Sequence, residues 1–367
     1  MSEIVISGYY GFGNAGDEAM LTAMIEALTD VDPTVRITVL SGCPADTRRR
    51  HGVAAVFRLN YPEIIRRLRK SDLLISGGGS LLQDVTSDRS LYYYLSIMML
   101  AKKLGKPVML YAQGIGPVRG SLARGAMRHI GNMVDLITVR DDGSHHELET
   151  LGVSVPPIHV TADPVLALHK IDKGIGRAIL RNHNLESNAP LIGISVREWK
   201  DWAYYKNTLA AAADRLIAEC GARLVFIPMQ WPDDNEVAKK IVARMRQPAA
   251  ILEEEYTTGE LLSLVGNLDM LIGIRLHALI FAAVMNVPPI GVSYDPKIDR
   301  FLETLGQTAA GTLQTVTADG LLAKVQALWP EIRNPNREQA ERIGDLRRKA
   351  YSNAELAIAL IEERKRG

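Results

Sequence analysis

Four times in the first half of the chain, a short and almost wholly apolar run stops at a turn rich in glycine or charge. Residues 3–7 give way to Gly8-Tyr9-Tyr10-Gly11-Phe12-Gly13-Asn14-Ala15-Gly16-Asp17-Glu18, and 73–76 to Gly77-Gly78-Gly79-Ser80. Residues 108–112 give way to Gln113-Gly114-Ile115-Gly116-Pro117, and 136–139 to Arg140-Asp141. Strands apolar on both faces belong to parallel sheets with helices on each side. Helical stretches lie between the runs at 15–28, 62–70, 91–104, 122–134 and 143–151, and further strands are expected at 36–40 and 159–161. Such alternation predicts an α/β fold with a doubly wound parallel sheet.

The pattern breaks at 171–189, which is rich in Lys, Arg, Asn and Gly, and then begins again. Strands are expected at 191–196, 223–227, 250–252, 270–274 and 289–292, alternating with helices at 208–220, 235–245, 259–265 and 278–285. The organisation read from this is an N-terminal Rossmann-like domain over 1–172, a C-terminal Rossmann-like domain over 173–330, and amphipathic helices over 331–367. Two domains suit a chain of 367 residues, and an interdomain cleft is expected where the strand ends of the two sheets meet.

Composition narrows the class. A net charge of +1 argues against a nucleic-acid partner. Cys43 and Cys220 lie far apart with no CxxC, so neither a disulfide framework nor a zinc site is indicated. Met1-Ser2-Glu3 opens directly into a strand, and the longest apolar stretch, 91–101, is too short to cross a bilayer. A cytoplasmic enzyme is the simplest expectation.

The strand ends carry the chemistry. In Ile272-Gly273-Ile274-Arg275-Leu276-His277-Ala278, an arginine and a histidine stand at the joint between an apolar strand and an apolar helix. Helix N-termini favour anions, a guanidinium matches carboxylate or phosphate, and an imidazole carries protons near neutral pH. Arg197 ends another strand, and Ser293-Tyr294-Asp295-Pro296-Lys297 adds a phenol and an ammonium at a third. Two arginines and a histidine suit a compact anion bearing carboxylate and phosphate, although each arginine can instead pair with a nearby acid.

In the first half, Gly11, Gly13 and Gly16 have dinucleotide-loop spacing, but Ser41-Gly42 follows the second strand where that fingerprint has an acid. The glycines read instead as backbone brought close to a polar ligand, with Asn14, Asp17 and Glu18 facing it. A helix N-cap with acids in its first turn accounts for Asp17 or Glu18, but not for the density of glycine. Gly78 and Gly79 invite the same reading, with Gln83 and Asp84 placed to bond sugar hydroxyls. Gln113 and Arg140 stand at two further strand ends, Arg140 with Asp141 or Asp142 as alternative ion-pair partners. Asp163, in an Asp-Pro turn, reads as structural. No histidine pair has ligand spacing, so no metal is expected. Arg66, Arg67, Arg69 and Lys70, and separately Arg119, Arg124 and Arg128, read as solvated helix faces, with contact to a lipid head group or diphosphate as the second reading.

Taken in order, segments 7–18, 76–84, 111–117, 138–141, 160–164, 194–197, 273–281 and 291–297 resemble the polysaccharide pyruvyltransferase family, and within it the CsaB-type enzymes of cell-wall polymers. The resemblance implies a GT-B-like architecture and transfer of a pyruvyl group from phosphoenolpyruvate to a sugar, giving a 4,6-ketal and phosphate. It implies N-acetylmannosamine on a lipid-diphosphate-linked saccharide as acceptor, in secondary cell-wall polymer synthesis for S-layer anchoring at the inner face of the membrane. The family's donor segment falls on Arg197, Arg275, Leu276 and His277. Glu198 stands where related enzymes often have proline.

The roles assigned on this reading are donor binding by Arg197, Arg275, Leu276, His277, Tyr294 and Lys297, and proton transfer by His277. Asp17 is the base for the sugar hydroxyl, and Asn14, Asp17, Gly78, Gly79, Gln83, Asp84, Gln113 and Arg140 form the acceptor side. The chemistry calls for no cofactor and no metal beyond phosphoenolpyruvate as donor substrate. A nucleotide-sugar-dependent glycosyltransferase of the same shape, and a non-catalytic sugar- or lipid-carrier-binding protein, remain as alternatives. Peripheral membrane contact and homo-oligomerisation are left open.

Overall fold

A computed structural model describes residues 2–84, 88–169, 171–186, 188–332 and 337–366. The chain divides into two compact units: Met1–His169 with Asp345–Gly367, and Lys170–Gly344. The sequence set the first boundary at 172/173 and gave 331–367 a segment of its own. The structure breaks the chain between His169 and Lys170 and shares the tail between the units; Ser187, 333–336 and Gly367, within the expected linker and tail, lie outside the described residues.

The first unit runs β1 (Glu3–Ser7), α1 (Ala15–Val31), β2 (Arg36–Ser41), α2 (Pro44–His51), β3 (Ala54–Phe57), α3 (Tyr61–Lys70), β4 (Leu73–Gly77), α4 (Asp88–Lys103), β5 (Val108–Gln113), α5 (Ser121–Gly131), β6 (Leu136–Val139), α6 (Asp142–Leu151) and β7 (Ile158–Val160). Its sheet has the order β3-β2-β1-β4-β5-β6-β7, and the pairs are parallel. Chain order reverses between β1 and β4, where Ser7 pairs with Ser76. In open α/β sheets that reversal is where strand-end loops diverge and leave room for a ligand.

The second unit runs α7 (Gly174–Asn182), β8 (Leu191–Ser195), α8 (Ala203–Cys220), β9 (Arg223–Phe226), α9 (Asp233–Val242), β10 (Ala250–Ile251), α10 (Thr258–Val265), β11 (Met270–Gly273), α11 (Leu276–Val284), β12 (Pro289–Gly291), α12 (Pro296–Thr304) and α13 (Ala318–Leu328). The order β10-β9-β8-β11-β12 reverses between β8 and β11. The last helix, α14 (Arg337–Arg366), is counted with the second unit through Gly344 and with the first from Asp345. There Ala354, Ala357, Ile358 and Ile361 join the cluster of Ile4, Ile6, Tyr10 and Met24, and the buried Asn353 accepts a hydrogen bond from the Thr161 hydroxyl at 2.9 Å.

The strands of both sheets fall close to the predicted runs because central parallel strands must be apolar on both faces: all five residues of β4 and of β8 are buried. Elements missing from the sequence reading break that rule. β3 is an edge strand with Val56 as its single buried residue. α7 falls inside the stretch read as irregular, because Gly174 and Gly176 are poor helix formers. Gly176 is there for contact: a Cβ on it would lie 2.3 Å from the backbone of α10. No described helix is long and apolar enough to cross a membrane.

Candidate functional site

At the first reversal, the loop after β1 is held by its own polar side chains. Asn14 is the N-cap of α1, accepting from the N–H groups of Gly16 at 3.0 Å and Asp17 at 3.2 Å. Glu18, expected to face a ligand, is turned into the protein instead. It is 4% exposed, accepts from the Gly11 N–H at 2.8 Å, and lies 2.7 Å from His51 Nε2 on α2. Gly11 has φ +78, and a Cβ there would strike Ser41 Oγ at 2.3 Å.

The loop after β4 lies beside the start of α1. Gly78 and Gly79 have φ of +54 and +76 and lie against Met20 of α1, so backbone conformation and contact with α1 require these glycines. Asp17 Oδ1 is 3.3 Å from where a Gly79 Cβ would stand, so the structure brings these two predicted residues together. Burial first, and the Asp17 charge second, push the hydroxyls of Tyr9 and Tyr10 up from the usual tyrosine range. The Tyr10 hydroxyl donates to the Gly77 carbonyl at 3.1 Å.

Three other residues assigned to the acceptor are committed to the protein itself. Gln113 is fully buried, and its Nε2 donates to the Gly79 carbonyl at 2.8 Å. Arg140 is 9% exposed and bridges Asp163 Oδ2 and Ser80 Oγ, each at 3.0 Å. Asp163, read as a turn residue, also caps the following turn through the Val165 N–H at 3.1 Å. Asp84 Oδ2 accepts from the N–H groups of Arg119 and Gly120, each at 2.7 Å. For Gln113 and Asp84 the reason is that a strand-end loop leaves backbone groups without ladder partners, which nearby polar side chains satisfy; Arg140 instead finds a buried counter-charge in Asp163. Gln83 is half-buried.

At the second reversal, the loops after β8 and β11 carry Arg197 and Arg275. Arg275 does not stand free. Its Nε donates to Asp234 Oδ2 at 3.1 Å and its Nη2 to Asp234 Oδ1. Asp234 is 1% exposed and also accepts from the N–H groups of Met229 at 3.0 Å and Gln230 at 2.9 Å. Of the two readings the sequence left open for each arginine, pairing with a nearby acid holds for Arg275: its fork is tied to a buried carboxylate that itself closes the loop after β9.

Arg197 is different. Among the described residues it has no carboxylate partner. Its Nη1 donates to the Tyr294 hydroxyl, and its guanidinium lies 4.4 Å from the centroid of the Tyr294 ring and 5.5 Å from that of Trp199. Its Nε is buried with no hydrogen-bond partner among the described residues. The backbone beneath is fixed by Tyr205, whose hydroxyl donates to the Arg197 carbonyl at 2.9 Å. Glu198 is tied to Lys206, a lysine 1% exposed with Nζ 2.7 Å away, and to Lys240 at 3.1 Å. Burial raises the Glu198 carboxyl, but hydrogen bonds from Lys206 and Lys240 outweigh this and hold it below the ordinary carboxylate range. The residue that departs from the family pattern is thus a loop anchor.

His277 sits half-buried in the first turn of α11, and Leu276 beside it is 6% exposed, its side chain turned into the protein. Lys297 lies 3.7 Å from Asp295 Oδ2 and 5.2 Å from the Tyr294 ring. Asp295 caps α12 by accepting from the Lys297 N–H at 3.1 Å. Among the described residues no group of three His, Cys, Asp or Glu is placed to hold a metal ion.

Sequence reasoning did not single out Asp234, Trp199, Tyr205, Lys206, Arg58 or His51. Asp234 had a signal, since Asp233-Asp234-Asn235 follows a strand end. Lys206 and Arg58 had none, because a lone cation on an element looks solvated until its surroundings are known.

Residues 14–296 match the family described as polysaccharide pyruvyl transferase. A curated relative, the amylovoran biosynthesis protein AmsJ of Erwinia amylovora, is 21% identical over 389 aligned positions, covering 89% of this chain and 92% of that one. Among solved structures, a putative UDP-N-acetylglucosamine 2-epimerase from Listeria monocytogenes aligns with TM-score 0.67 at 12% identity over 99% of this chain and 96% of its own. The S. aureus MnaA–UDP structure gives 0.64 at 13% over 97% and 95%, and the E. coli ADP-heptose lps heptosyltransferase II gives 0.54 at 15% over 91% and 100%. At these identities the structures attest the fold, two Rossmann-like units of the GT-B-like kind.

Proposed function

The chain belongs to the polysaccharide pyruvyl transferase family, and from that premise we propose that it moves the pyruvyl group of phosphoenolpyruvate onto a saccharide carried on a lipid diphosphate. The proposed product is a 4,6-ketal on N-acetylmannosamine, in a secondary cell-wall polymer that anchors an S-layer. The observation that carries the donor assignment is Arg197, a guanidinium without a carboxylate partner among the described residues, oriented by Tyr294 and Trp199 beside the strand reversal. A cation held against aromatic faces keeps its charge and loses water, which favours a small anion with carboxylate and phosphate groups.

In the reaction the methylene carbon of phosphoenolpyruvate takes a proton, and cationic character develops at the neighbouring carbon. One sugar hydroxyl attacks that carbon, phosphate departs, and the second hydroxyl closes the ring. Of the two hydroxyl protons released, one balances the new methyl group and one leaves with phosphate. His277 is the proton carrier in this scheme, and Asp17 accepts from the sugar hydroxyl. Arg275, neutralised by Asp234, positions the start of α11 and with it His277, and Arg197 takes the main charge of the donor. The lipid-linked acceptor places the reaction at the inner face of a membrane.

Incubation with phosphoenolpyruvate and a disaccharide-diphosphate lipid tests this. The expected result is phosphate release with a product heavier by one pyruvyl group. In His277→Asn, turnover falls on the order of a hundredfold or more while donor affinity changes little. Turnover of a sugar nucleotide with release of a nucleoside diphosphate, and none of phosphoenolpyruvate, would establish the glycosyltransferase alternative instead. Near-normal turnover in His277→Asn would remove that residue from proton transfer.

A further inference from the structure

Arg58 lies outside every segment that carries the family resemblance, and its surroundings are unusual among the cations of the first unit. Arg49 pairs with Asp46, Arg66 and Arg67 pair with Glu63, and Arg140 pairs with Asp163. Arg58 has no carboxylate partner among the described residues. Its guanidinium lies 4.2 Å from the centroid of the Tyr93 ring and 5.4 Å from that of Phe12, and its buried Nε has no hydrogen-bond partner among the described residues. The backbone is clamped on both sides: the Arg58 N–H donates to the Ser41 carbonyl at 2.9 Å, and the Tyr93 hydroxyl donates to the Arg58 carbonyl at 2.9 Å. This is a fixed, partly dehydrated cation.

Its neighbours in the chain are exposed and apolar. Phe57 is 46% exposed, Leu59 55% and Tyr61 42%. A cation alone would suit a free anion, and apolar side chains alone would suit any greasy surface. An oriented guanidinium among exposed apolar groups suits a phosphate ester that carries an apolar chain. Phe12, against which Arg58 lies, belongs to the loop that leads into Asp17. We propose that the 57–61 loop grips the diphosphate–lipid junction of the acceptor, with Arg58 on the diphosphate and Phe57 and Leu59 on the first part of the chain. The proposal rests on the lipid-linked acceptor of the preceding subsection and names the residues that would recognise it.

The test is direct binding, measured on the full chain with farnesyl diphosphate, inorganic pyrophosphate and phosphoenolpyruvate as separate probes. Farnesyl diphosphate is expected to bind the unaltered protein, and Arg58→Gln to weaken it at least tenfold, with Arg58→Lys in between. The double variant Phe57→Ser, Leu59→Ser, both changes at exposed positions, is expected to weaken farnesyl diphosphate several-fold and leave pyrophosphate unchanged. Phosphoenolpyruvate binding should be the same in all forms. Binding of farnesyl diphosphate by Arg58→Gln within twofold of the unaltered chain overturns the proposal, as does loss of phosphoenolpyruvate binding in step with it. Arg58-dependent recovery on phosphatidylglycerol vesicles, without farnesyl diphosphate binding, assigns the loop to a bilayer surface and also overturns it. If no form binds phosphoenolpyruvate, the pyruvyl-transfer reading fails, and the farnesyl diphosphate result stands or falls separately.

Discussion

The two strand reversals are built alike and used differently. At the first, between β1 and β4, Asn14, Glu18, Asp84 and Gln113 hold loop backbone, Arg140 is paired with Asp163 and bonded to the Ser80 hydroxyl, and the loops lie tight on α1. At the second, between β8 and β11, one arginine is tied to a buried acid and the other is left without one among the described residues. A charged residue at a parallel strand end is therefore an ambiguous sign. It becomes scaffold where the surrounding chain supplies a counter-charge or an orphan carbonyl, and it stays available to ligands where aromatic rings alone surround it.

The sharpest way to break this comparison is to remove the counter-charge. Asp234→Ala leaves the Arg275 guanidinium largely buried without its partner and strips two backbone N–H groups of their acceptor, so it should cost about 3–5 kcal/mol of stability. A drop in the second unit's urea midpoint checks this; an unchanged midpoint would mean that Arg275 is not held there. Next in size, Arg197→Gln should leave stability within about 0.5 kcal/mol while weakening donor binding by about 2–3 kcal/mol, on the order of a hundredfold, because it removes a charge-assisted contact. Calorimetric titration with phosphoenolpyruvate reads this, and equal affinity in the variant would make Arg197 scaffold as well.

On the first unit the comparison predicts the reverse pattern. Gln113→Met removes the donor to the Gly79 carbonyl and should lower stability by about 1–3 kcal/mol. Any loss of turnover should follow the loss of folded protein, so a kcat that falls with stability unchanged would return Gln113 to the acceptor side. The smallest effect concerns pH. The Glu198 carboxyl sits below its ordinary value of 4.5 in the folded chain. Its contribution to the 197–202 loop is thus present above pH 4.5 and fades as pH falls through the lower folded value. Fluorescence of Trp199 and Trp202 should hold steady from neutrality to about pH 5 and change only below it; a transition near pH 6 would contradict the assignment.

How much of this was legible in the chain depends on the range of the forces involved. Runs such as Leu73–Gly77 announce a central parallel strand because burial on both faces is written into each residue, and α11 follows from an uninterrupted apolar stretch. The edge strand β3 and the glycine-bearing helix α7 were illegible, since one side chain, Val56, holds the first, and contact with α10 over Gly176 defines the second. In the same way the positions of Arg197, Arg275 and His277 could be read from strand-to-helix joints, but the partner of Arg275 lies 41 residues away on α9. Arg58 looked like any solvated cation until Phe12 and Tyr93, from two other elements, closed over it.

The amino-acid order alone determined that two parallel α/β units form and that polar chemistry gathers at their strand ends, because periodic burial and turn residues act over a few positions. Which of those polar groups would be neutralised, and which left for a ligand, was decided only when distant elements packed together. Charge pairing, stacking and loss of water are properties of the assembled surroundings and not of any segment.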